Sequence, residues 1–414
     1  MELKKILWVA AICFFSSAQA KNISWAEAVD LAQKNSLDLQ AAELTFESTE
    51  ALETAAESGF YPRVFGSLTG NRSGSKNADA ADSYGAQLNL TQNIFAGWAD
   101  LNRAHQASAN TRQAAANLKL AKAKLSAQLK QAVAFSVYSF DYQKMTEDIV
   151  RRRDDNFKIV DLRFQGGREN KGSVLLSKAY LDEARYDFLT AGHDAEISRE
   201  DLSRFLGLNP KEDVFFTETP PRISLLSKTP DFKNLSLRTP DVIALMEQAK
   251  ASEAALSIAK ANFVPTLDLS GSYGYIDTIF FPKQDRWSVG LTLSIPLFDG
   301  GRDYSAVKSA SYKAQSFSKQ AEALLQKSEV SLKQAYFDFI ASVEKEKIDD
   351  DFRKASVVRA QIARSKYNNG LTSFDEWDRA ESDLIARERS ALSSRRDRIV
   401  KESLWEQAQG VGVF

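Results

Sequence analysis

Four segments of the chain alternate apolar and polar residues with the two-residue period of a β-strand. The clearest runs from Trp287 to Ile295, where every second residue is large and apolar and the residues between are serine, glycine or threonine. Similar alternation marks residues 267–275 and 84–91, and a weaker form marks residues 64–70. Because successive side chains of a strand point to opposite faces, each segment predicts a strand with one apolar and one polar face.

The length of these segments, about nine or ten residues, is what a tilted strand needs to cross a bilayer. Tyrosine or tryptophan near an end of the apolar face would suit an aromatic girdle, and the small polar residues opposite would suit a water-filled lumen. A half-buried sheet of a soluble protein alternates in the same way. We expect residues 72–82 and 276–286 to be loops that join the paired strands. The residues expected to face lipid are Leu88, Leu90, Leu267, Leu269, Trp287, Val289, Leu291 and Leu293.

A long repeat organises the chain. Phe60-Tyr61-Pro62 recurs 203 residues later as Phe263-Val264-Pro265, and the stretch from Leu90 to Gly97 recurs at the same offset from Leu293 to Gly300. A repeat of about half the chain indicates a duplicated domain-sized unit rather than a short solenoid. The predicted divisions are residues 1–20 as a signal peptide, 21–208 as the first repeat, 209–239 as an inter-repeat linker and 240–414 as the second repeat.

Long helices fill most of each repeat. Residues 98–164 and 303–367 contain neither glycine nor proline, and at about 1.5 Å per residue each would extend for roughly 100 Å. Helices of that length favour a coiled-coil-like wall over a compact core, although an ordinary amphipathic bundle helix remains the alternative. Gly167 and Gly370 are expected to end the two helices in a left-handed cap, and a return helix follows each turn.

A shorter helix precedes each predicted strand pair. The first begins at the capping box Ser24-Trp25-Ala26-Glu27 and is expected to run to about Ser58, with an interruption near Asn35. The second begins at Thr239-Pro240, which combines a capping residue with a first-turn proline.

The N-terminus has the pattern of a secretory signal. Lys4 and Lys5 precede a short apolar run, and Ala18-Gln19-Ala20 predicts cleavage after Ala20. The single cysteine, Cys13, lies within this segment, so the mature chain is expected to have no disulfide. The rest of the sequence has no apolar run of the ~20 residues that a membrane helix needs, so any membrane crossing must use strands. Four strands cannot close a barrel, which implies a barrel shared among chains, for example twelve strands from three protomers.

Charge and residue types exclude several functions. The net charge of −1 lacks the basic excess of a nucleic-acid-binding protein. His105 and His193 stand alone, without the spacing of a metal site, and no phosphate-binding glycine loop is present. We therefore expect no enzyme activity, no cofactor and no metal. An enzyme built on a helical scaffold is disfavoured by the absence of converging polar residues.

In its order of motifs, the chain resembles the TolC-like family of outer-membrane efflux channels. The resemblance is carried by residues 24–32 after the signal, by the Phe-x-Pro motifs that open the strand pairs, by the Phe-x-Gly motifs at Phe95 and Phe298, and by the two [Arg/Lys]-[Phe/Tyr]-x-x-Gly turns. It implies an α+β membrane protein of the Gram-negative outer membrane. Three chains would share a 12-stranded β-barrel and a periplasmic α-barrel of long helices.

The same resemblance implies the partners. A periplasmic adaptor (membrane fusion) protein and an inner-membrane pump of RND, ABC or MFS type would load the channel, for efflux or type I secretion. The alternative interpretation is a periplasmic coiled-coil adaptor or structural protein without a membrane barrel, which shares the signal and the long helices but leaves the amphipathic strands unexplained.

Two sets of site residues follow from the resemblance. Asp375 and Asp378 lie three residues apart at the start of the last helix and so share one face. First-turn acids often just complement the helix dipole, but in the family such a pair narrows the periplasmic entrance, as acidic rings do in pores. The two glycine turns are expected to dock the adaptor. The docking residues are Arg163, Phe164, Gly167, Lys366, Tyr367, Gly370 and Leu371.

Overall fold

The structure, a computed structural model, describes residues 21–76, 78–209, 214–216, 220–223 and 228–414. The predicted signal peptide, residues 1–20, and its cleavage site lie outside the described residues. The helices are α1 Trp25–Asn35, α2 Leu37–Glu57, α3 Ala99–Gln165, α4 Lys171–Phe205, α5 Phe232–Ser236, α6 Pro240–Ala261, α7 Arg302–Asn368 and α8 Phe374–Gln409. The strands are β1 Lys21–Ile23, β2 Arg63–Ser75, β3 Ala78–Ala96, β4 Val214–Phe216, β5 Thr266–Asp277 and β6 Asp285–Ser294.

Helices α3 and α7 are the longest elements and have equal length. Each contains 67 residues, which gives about 100 Å at 1.5 Å per residue. Both begin and end 203 residues apart, so the predicted repeat holds along their whole length. Near the N-terminus, the interruption predicted near Asn35 is also present, because Ser36 ends α1 and caps α2.

The long strands form one antiparallel sheet in the order β2-β3-β5-β6. Its register places the eight residues predicted to face lipid on one face: Leu88 pairs with Tyr273, Tyr273 with Trp287, and Leu267 with Leu293. The opposite face is polar, with hydrogen bonds such as Asn89 Nδ2 to Ser67 Oγ at 2.9 Å. The two-faced sheet is therefore confirmed. The apolar face is open, since Leu291 is 68% exposed.

The prediction of a loop at residues 72–82 is wrong. Strands β2 and β3 continue to pair as far as Ser75 and Ala78, well past the apolar segment. The extension has polar residues on both faces, including an ion pair between Arg72 and Asp82 at 3.6 Å. Alternation of apolar and polar residues therefore does not mark this part of the strands. The loop predicted at 276–286 is shorter than expected, because only residues 278–284 separate β5 from β6.

The helices are arranged as four parallel columns. One half of α3 packs between α2 and α6 and the other half between α4 and α8, and α7 packs against α6 and then α8. Helix α4 ends where α2 begins, with Asn35 Nδ2 donating to the Leu206 carbonyl at 2.7 Å. The end of α8 likewise meets the start of α6, where a Cβ at Gly410 would overlap Pro240. The column order α2/α4, α3, α6/α8, α7 repeats the strand order, because each strand continues into one column.

A hydrophobic belt surrounds the middle of the columns and repeats at the same offset. Leu129 and Leu202 are buried beside Ile23 in the first repeat, and their counterparts Leu332 and Trp405 are buried in the second. The described parts of the predicted linker contribute to this belt: β4 pairs in parallel with β1, and α5 packs against α7. Within the described ranges, no helix combines the length and the apolar character required to cross a membrane.

Candidate gate at the helical hairpin tips

Two helical hairpins, α3–α4 and α7–α8, end side by side, and both turns have the same hydrogen-bond pattern. Gly167 N–H donates to the Phe164 carbonyl at 2.9 Å and Arg168 N–H to that of Arg163 at 2.8 Å. Gly370 and Leu371 repeat this pattern in the second hairpin, with both distances at 2.9 Å. These paired bonds form a Schellman motif, which requires a left-handed residue. Both glycines have that conformation, with φ of 68° and 73°.

The return helices are capped by side chains at matching positions. The Asn170 side chain accepts from Ser173 N–H at 2.9 Å, and the Ser373 hydroxyl accepts from Glu376 N–H at 3.3 Å. Each cap satisfies an amide that the first turn of a helix leaves unpaired. The tips are therefore rigid turns with defined ends.

An aromatic cluster packs at the base of the second turn. The Tyr367 ring stacks on Trp377 with centroids 4.4 Å apart, and Phe374 meets Trp377 edge-on at 6.3 Å. Val160 of α3 completes the cluster. Tyr367 is only 1% exposed, so the prediction that its side chain lines an exposed docking surface is wrong. Its ring is apolar enough to fill the gap between the hairpins, and Trp377 covers it.

Tyr367 also ties the two hairpins together by polar contacts. Arg163 Nη1 donates to the Tyr367 carbonyl at 2.7 Å, and its guanidinium lies 4.5 Å from the tyrosine ring centroid. The Tyr367 hydroxyl donates to Glu169 Oε2 at 2.8 Å. Burial, together with this bond to Glu169, raises the pKa of the phenol. We call the contacts among Arg163, Glu169 and Tyr367 the tip tie.

The carboxylate of the tip tie is held in its charged form. Burial opposes ionisation of Glu169, but hydrogen bonds from Asn170 N–H and the Tyr367 hydroxyl outweigh that effect and lower its pKa. The acceptor is therefore ionised at neutral pH, and its charge strengthens the bond from the phenol.

A second tie lies farther from the tips. Arg153 Nη1 of α3 donates to Asp378 Oδ1 of α8 at 2.7 Å, and Nη2 donates to Ser382 Oγ at 3.0 Å. The guanidinium also lies 4.6 Å from the Tyr180 ring centroid of α4. Both charged side chains are largely buried, so loss of either leaves an uncompensated charge. We call the pair of Arg153 and Asp378 the shaft tie.

The two predicted gate aspartates thus have different surroundings. Asp375 is exposed on the first turn of α8, whereas the side chain of Asp378 is largely buried and paired with Arg153. A ring made from this chain would therefore have Asp375 as its exposed carboxylate, with Asp378 committed to the contact between helices. At the matching positions of the first hairpin the chain has Gly172 and Leu175, so the acidic pair belongs to the second hairpin.

The remaining predicted docking residues form the outer surface of the tips. Lys366 and Phe164 are exposed, Leu371 is 75% exposed, and Arg163 is half-buried in the tip tie. Leu162, which the sequence analysis did not single out, is exposed beside them. The result is an apolar and basic surface at the end of each hairpin.

Sequence reasoning missed Glu169, Trp377 and Arg153, the residues that join the hairpins. Trp377 lies three residues after Phe374, a spacing that could have indicated a packed face. Arg153 stands in a run of three arginines, which indicates positive charge but names no partner. Its partner is 225 residues away in the sequence, and only the fold brings the two together.

Comparison with known proteins identifies this architecture. The family model described as "Outer membrane efflux protein" matches residues 28–208 and 233–403. The cation efflux system protein CusC of Escherichia coli O6:H1 is 20% identical, over 96% of this chain and 87% of CusC. Protein CyaE of Bordetella pertussis is 26% identical, over 88% of this chain and 80% of CyaE. The crystal structure of the outer membrane protein VceC from Vibrio cholerae superposes with a TM-score of 0.82 at 18% identity, covering 94% of this chain and 96% of VceC.

These matches decide between the two interpretations of the sequence, in favour of an outer-membrane channel over a periplasmic adaptor without membrane strands. The matched ranges include the four strands of the antiparallel sheet and the long helices α3 and α7. The chain belongs to the outer membrane efflux protein family and is an outer-membrane channel.

Proposed function

We propose that three copies of the chain close into one continuous duct that carries substrate from the periplasm across the outer membrane. This proposal rests on one observation: the protomer has two open sides. In the four-stranded sheet, the outer strands β2 and β6 each pair along one edge only. Their columns, α2/α4 and α7, are the outer columns of the helical wall. The sheet and the helical wall are thus open on the same two sides.

Sheet edges supply the physical reason for closure. A strand edge that faces hydrocarbon leaves its backbone N–H and C=O groups without partners, so strands span membranes only as closed barrels. When β6 of one copy pairs with β2 of the next, every edge is satisfied. Such a head-to-tail contact forms a ring when the rotation closes.

The width of the duct sets the smallest number of copies. Two copies would give eight strands, and the interior of an eight-stranded barrel is just wide enough for its own side chains. Three copies give twelve strands and leave a lumen. The polar face of the sheet, with residues such as Asn89, Ser272 and Ser288, would line that lumen and the apolar face would contact outer-membrane lipid.

Exposed apolar residues on the outer columns support the same contact. On α7 they fall within about 120° of arc at 100° per residue and include Tyr312, Val330, Ile348, Val358 and Ile362. On α4 they recur at 11-residue spacing as Leu175, Tyr186 and Ile197, which also keeps them on one face. We call the first set the α7 stripe.

The periplasmic end of the duct is gated by the hairpin tips. Widening the entrance requires the α7–α8 hairpin to move relative to the α3–α4 hairpin, and the tip tie and the shaft tie both oppose that movement. Asp375 of three copies would face a common axis and attract cations there. The gate is therefore an acidic constriction whose closed form is stabilised within each protomer.

The outer surface of the tips would receive a periplasmic adaptor protein. Leu371, Phe164 and Lys366 offer apolar and basic contacts on rigid turns, so docking there requires no reordering of the tip. The adaptor connects the duct to an inner-membrane pump of RND, ABC or MFS type, which supplies the energy and selects the cargo for efflux or type I secretion.

The assembly is tested by placing charges in the α7 stripe. Ile348→Glu with Val358→Glu should convert trimers to monomers, because two carboxylates on each edge would be buried against the neighbouring copy. The measurement is molar mass in detergent by light scattering, with three times the chain mass expected for the wild type. Lys313→Glu with Lys327→Glu, exposed on the same helix and outside the arc of the stripe, is the control and should remain trimeric. A monomeric wild type, or a trimeric stripe variant, would refute closure through this edge.

A further inference from the structure

Trp98 occupies a backbone position that suits glycine. It precedes the first residue of α3 and has φ of 69°. Among the described residues, it is the only non-glycine residue with positive φ. Its counterpart 203 residues later is Gly301, which precedes α7 with φ of 85°. The left-handed conformation is strained for a bulky residue. The first repeat therefore keeps a tryptophan where the second repeat uses glycine without strain.

Burial does not explain this tryptophan. Trp98 is 66% exposed, so its indole contributes little to the interior of the protomer. Its aromatic contact is edge-on to Phe95, with centroids 5.8 Å apart. Strain at an exposed side chain points to a role outside the chain.

The indole of Trp98 lies beside the apolar face of the sheet, through its contact with Phe95. In the sheet, Phe95 pairs with Leu267, which pairs with Leu293, so Phe95 ends a row on the apolar face. Trp98 continues that face just beyond the strands. At the opposite end, Phe280 of the β5–β6 loop packs edge-on against Tyr84 at 5.4 Å.

The distance between these two ends matches a bilayer. From Tyr84 to Ala96 the strand advances 12 residues, or ~40 Å at about 3.3 Å per residue. At the 35–45° tilt of membrane strands this covers ~30 Å along the normal, close to the thickness of a hydrocarbon core. Trp98 thus falls where the hydrocarbon ends and the headgroups begin.

We propose that Trp98 is a lipid anchor that contacts phospholipid headgroups of the inner leaflet and fixes the depth of the channel in the membrane. The proposal rests on the proposed barrel. Tryptophan suits this position because its ring is apolar and its N–H can donate to a headgroup oxygen. Glycine at the same backbone position would relieve strain but provide no contact with lipid.

The test uses single cysteines, which the absence of cysteine from residues 21–414 makes possible. Trp98→Cys, Leu291→Cys and Asn110→Cys are labelled with the fluorophore NBD and reconstituted in phosphatidylcholine vesicles that carry a nitroxide either on the headgroup or deep in the acyl chain. Label at residue 98 should be quenched most by the headgroup nitroxide and label at residue 291 most by the acyl-chain nitroxide. Label at exposed Asn110, about 18 Å farther along α3, should be quenched by neither.

The outcomes separate the anchor from the barrel. Quenching at residue 291 without quenching at residue 98 would overturn the anchor and leave the barrel standing. Absence of quenching at both residues would overturn the barrel and the anchor with it. Because Trp98→Cys can disturb folding, a second measurement compares tryptophan quenching by headgroup-nitroxide lipid in the wild type and in Trp98→Phe. The wild type should be quenched more, and equal quenching would again count against the anchor.

Discussion

Asp375 and Asp378 stand three residues apart on the first turns of α8, yet their side chains have different surroundings. Asp378 is paired with Arg153 at 2.7 Å inside the protomer, while Asp375 is exposed. A substitution at Asp378 removes one partner of a largely buried pair, which costs about 3 kcal/mol, and a substitution at Asp375 changes only the charge of the entrance. The two positions should therefore be tested separately.

Asp375→Asn should weaken the block of the channel by divalent cations, because three carboxylates would be lost from the constriction while the helix cap and both ties remain. The measurement is current through single channels in planar bilayers with increasing Mg²⁺ on the periplasmic side. Glu376→Gln is the matched control, since Glu376 lies in the same first turn and would affect the helix dipole equally. Equal Mg²⁺ block in Asp375→Asn and the wild type would remove Asp375 from the gate.

Acidification should loosen the tip tie. The folded-state pKa of Glu169 is lowered from its ordinary value of 4.5, so its contribution to stability is complete above that value and is lost as pH falls through the lower, folded-state pKa. The raised pKa of Tyr367 acts at the other end: its contribution is complete below the ordinary value of 10.0 and is lost only at still higher pH. The tie should therefore hold unchanged across neutral pH.

The corresponding measurement is conductance from pH 7 down to about pH 3. We expect the wild type to open more as Glu169 is protonated. Glu169→Gln should lack that acid-dependent component, whereas any acid response from other groups is shared by both proteins. An identical acid response in the two proteins would show that Glu169 does not restrain the gate.

The helices and their turns are the elements that local sequence signals specify well. The ends of α3 and α7 agree with prediction to within one residue, because glycines lie beside these ends and act over one turn. The extended β2–β3 hairpin was missed because its pairing continues through residues 71–75 without an apolar face. Local chemistry fixes where elements end, whereas cross-strand partners decide how far a ladder extends.

Leu371→Ser should abolish export without affecting assembly, because this residue at the second turn is exposed and contributes to the proposed adaptor surface. The measurement is export in cells, together with cross-linking to the adaptor. Lys327→Ser is the control, an exposed change on the shaft of α7 outside the stripe that should export normally. Normal export by Leu371→Ser would place docking elsewhere.

Across the protomer, the duplication builds a wall with two open sides. The offset of 203 residues predicted equal helices, and the structure has them, but the order of columns depends on contacts between the repeats. Those contacts include Arg112 with Glu247 at 2.7 Å in one half of the wall and Arg153 with Asp378 in the other. Single-sequence patterns indicate which residues carry charge and cannot indicate pairings across more than a hundred residues.

We propose that the two ties between the hairpins keep the periplasmic entrance closed. Tyr367→Phe with Asp378→Asn removes the phenol–Glu169 bond and the charge pair while changing volume very little. The control, Tyr336→Phe with Asp338→Asn, makes the same chemical changes at the belt, where Tyr336 packs on Trp405 and Asp338 pairs with Lys401 at 3.0 Å.

Single-channel conductance in planar bilayers measures the width of the entrance directly. We expect the tip variant to conduct several times more current than the wild type and the belt variant to match the wild type. Wild-type conductance of the tip variant, in a preparation where both proteins are trimeric, would show that the ties do not hold the entrance closed.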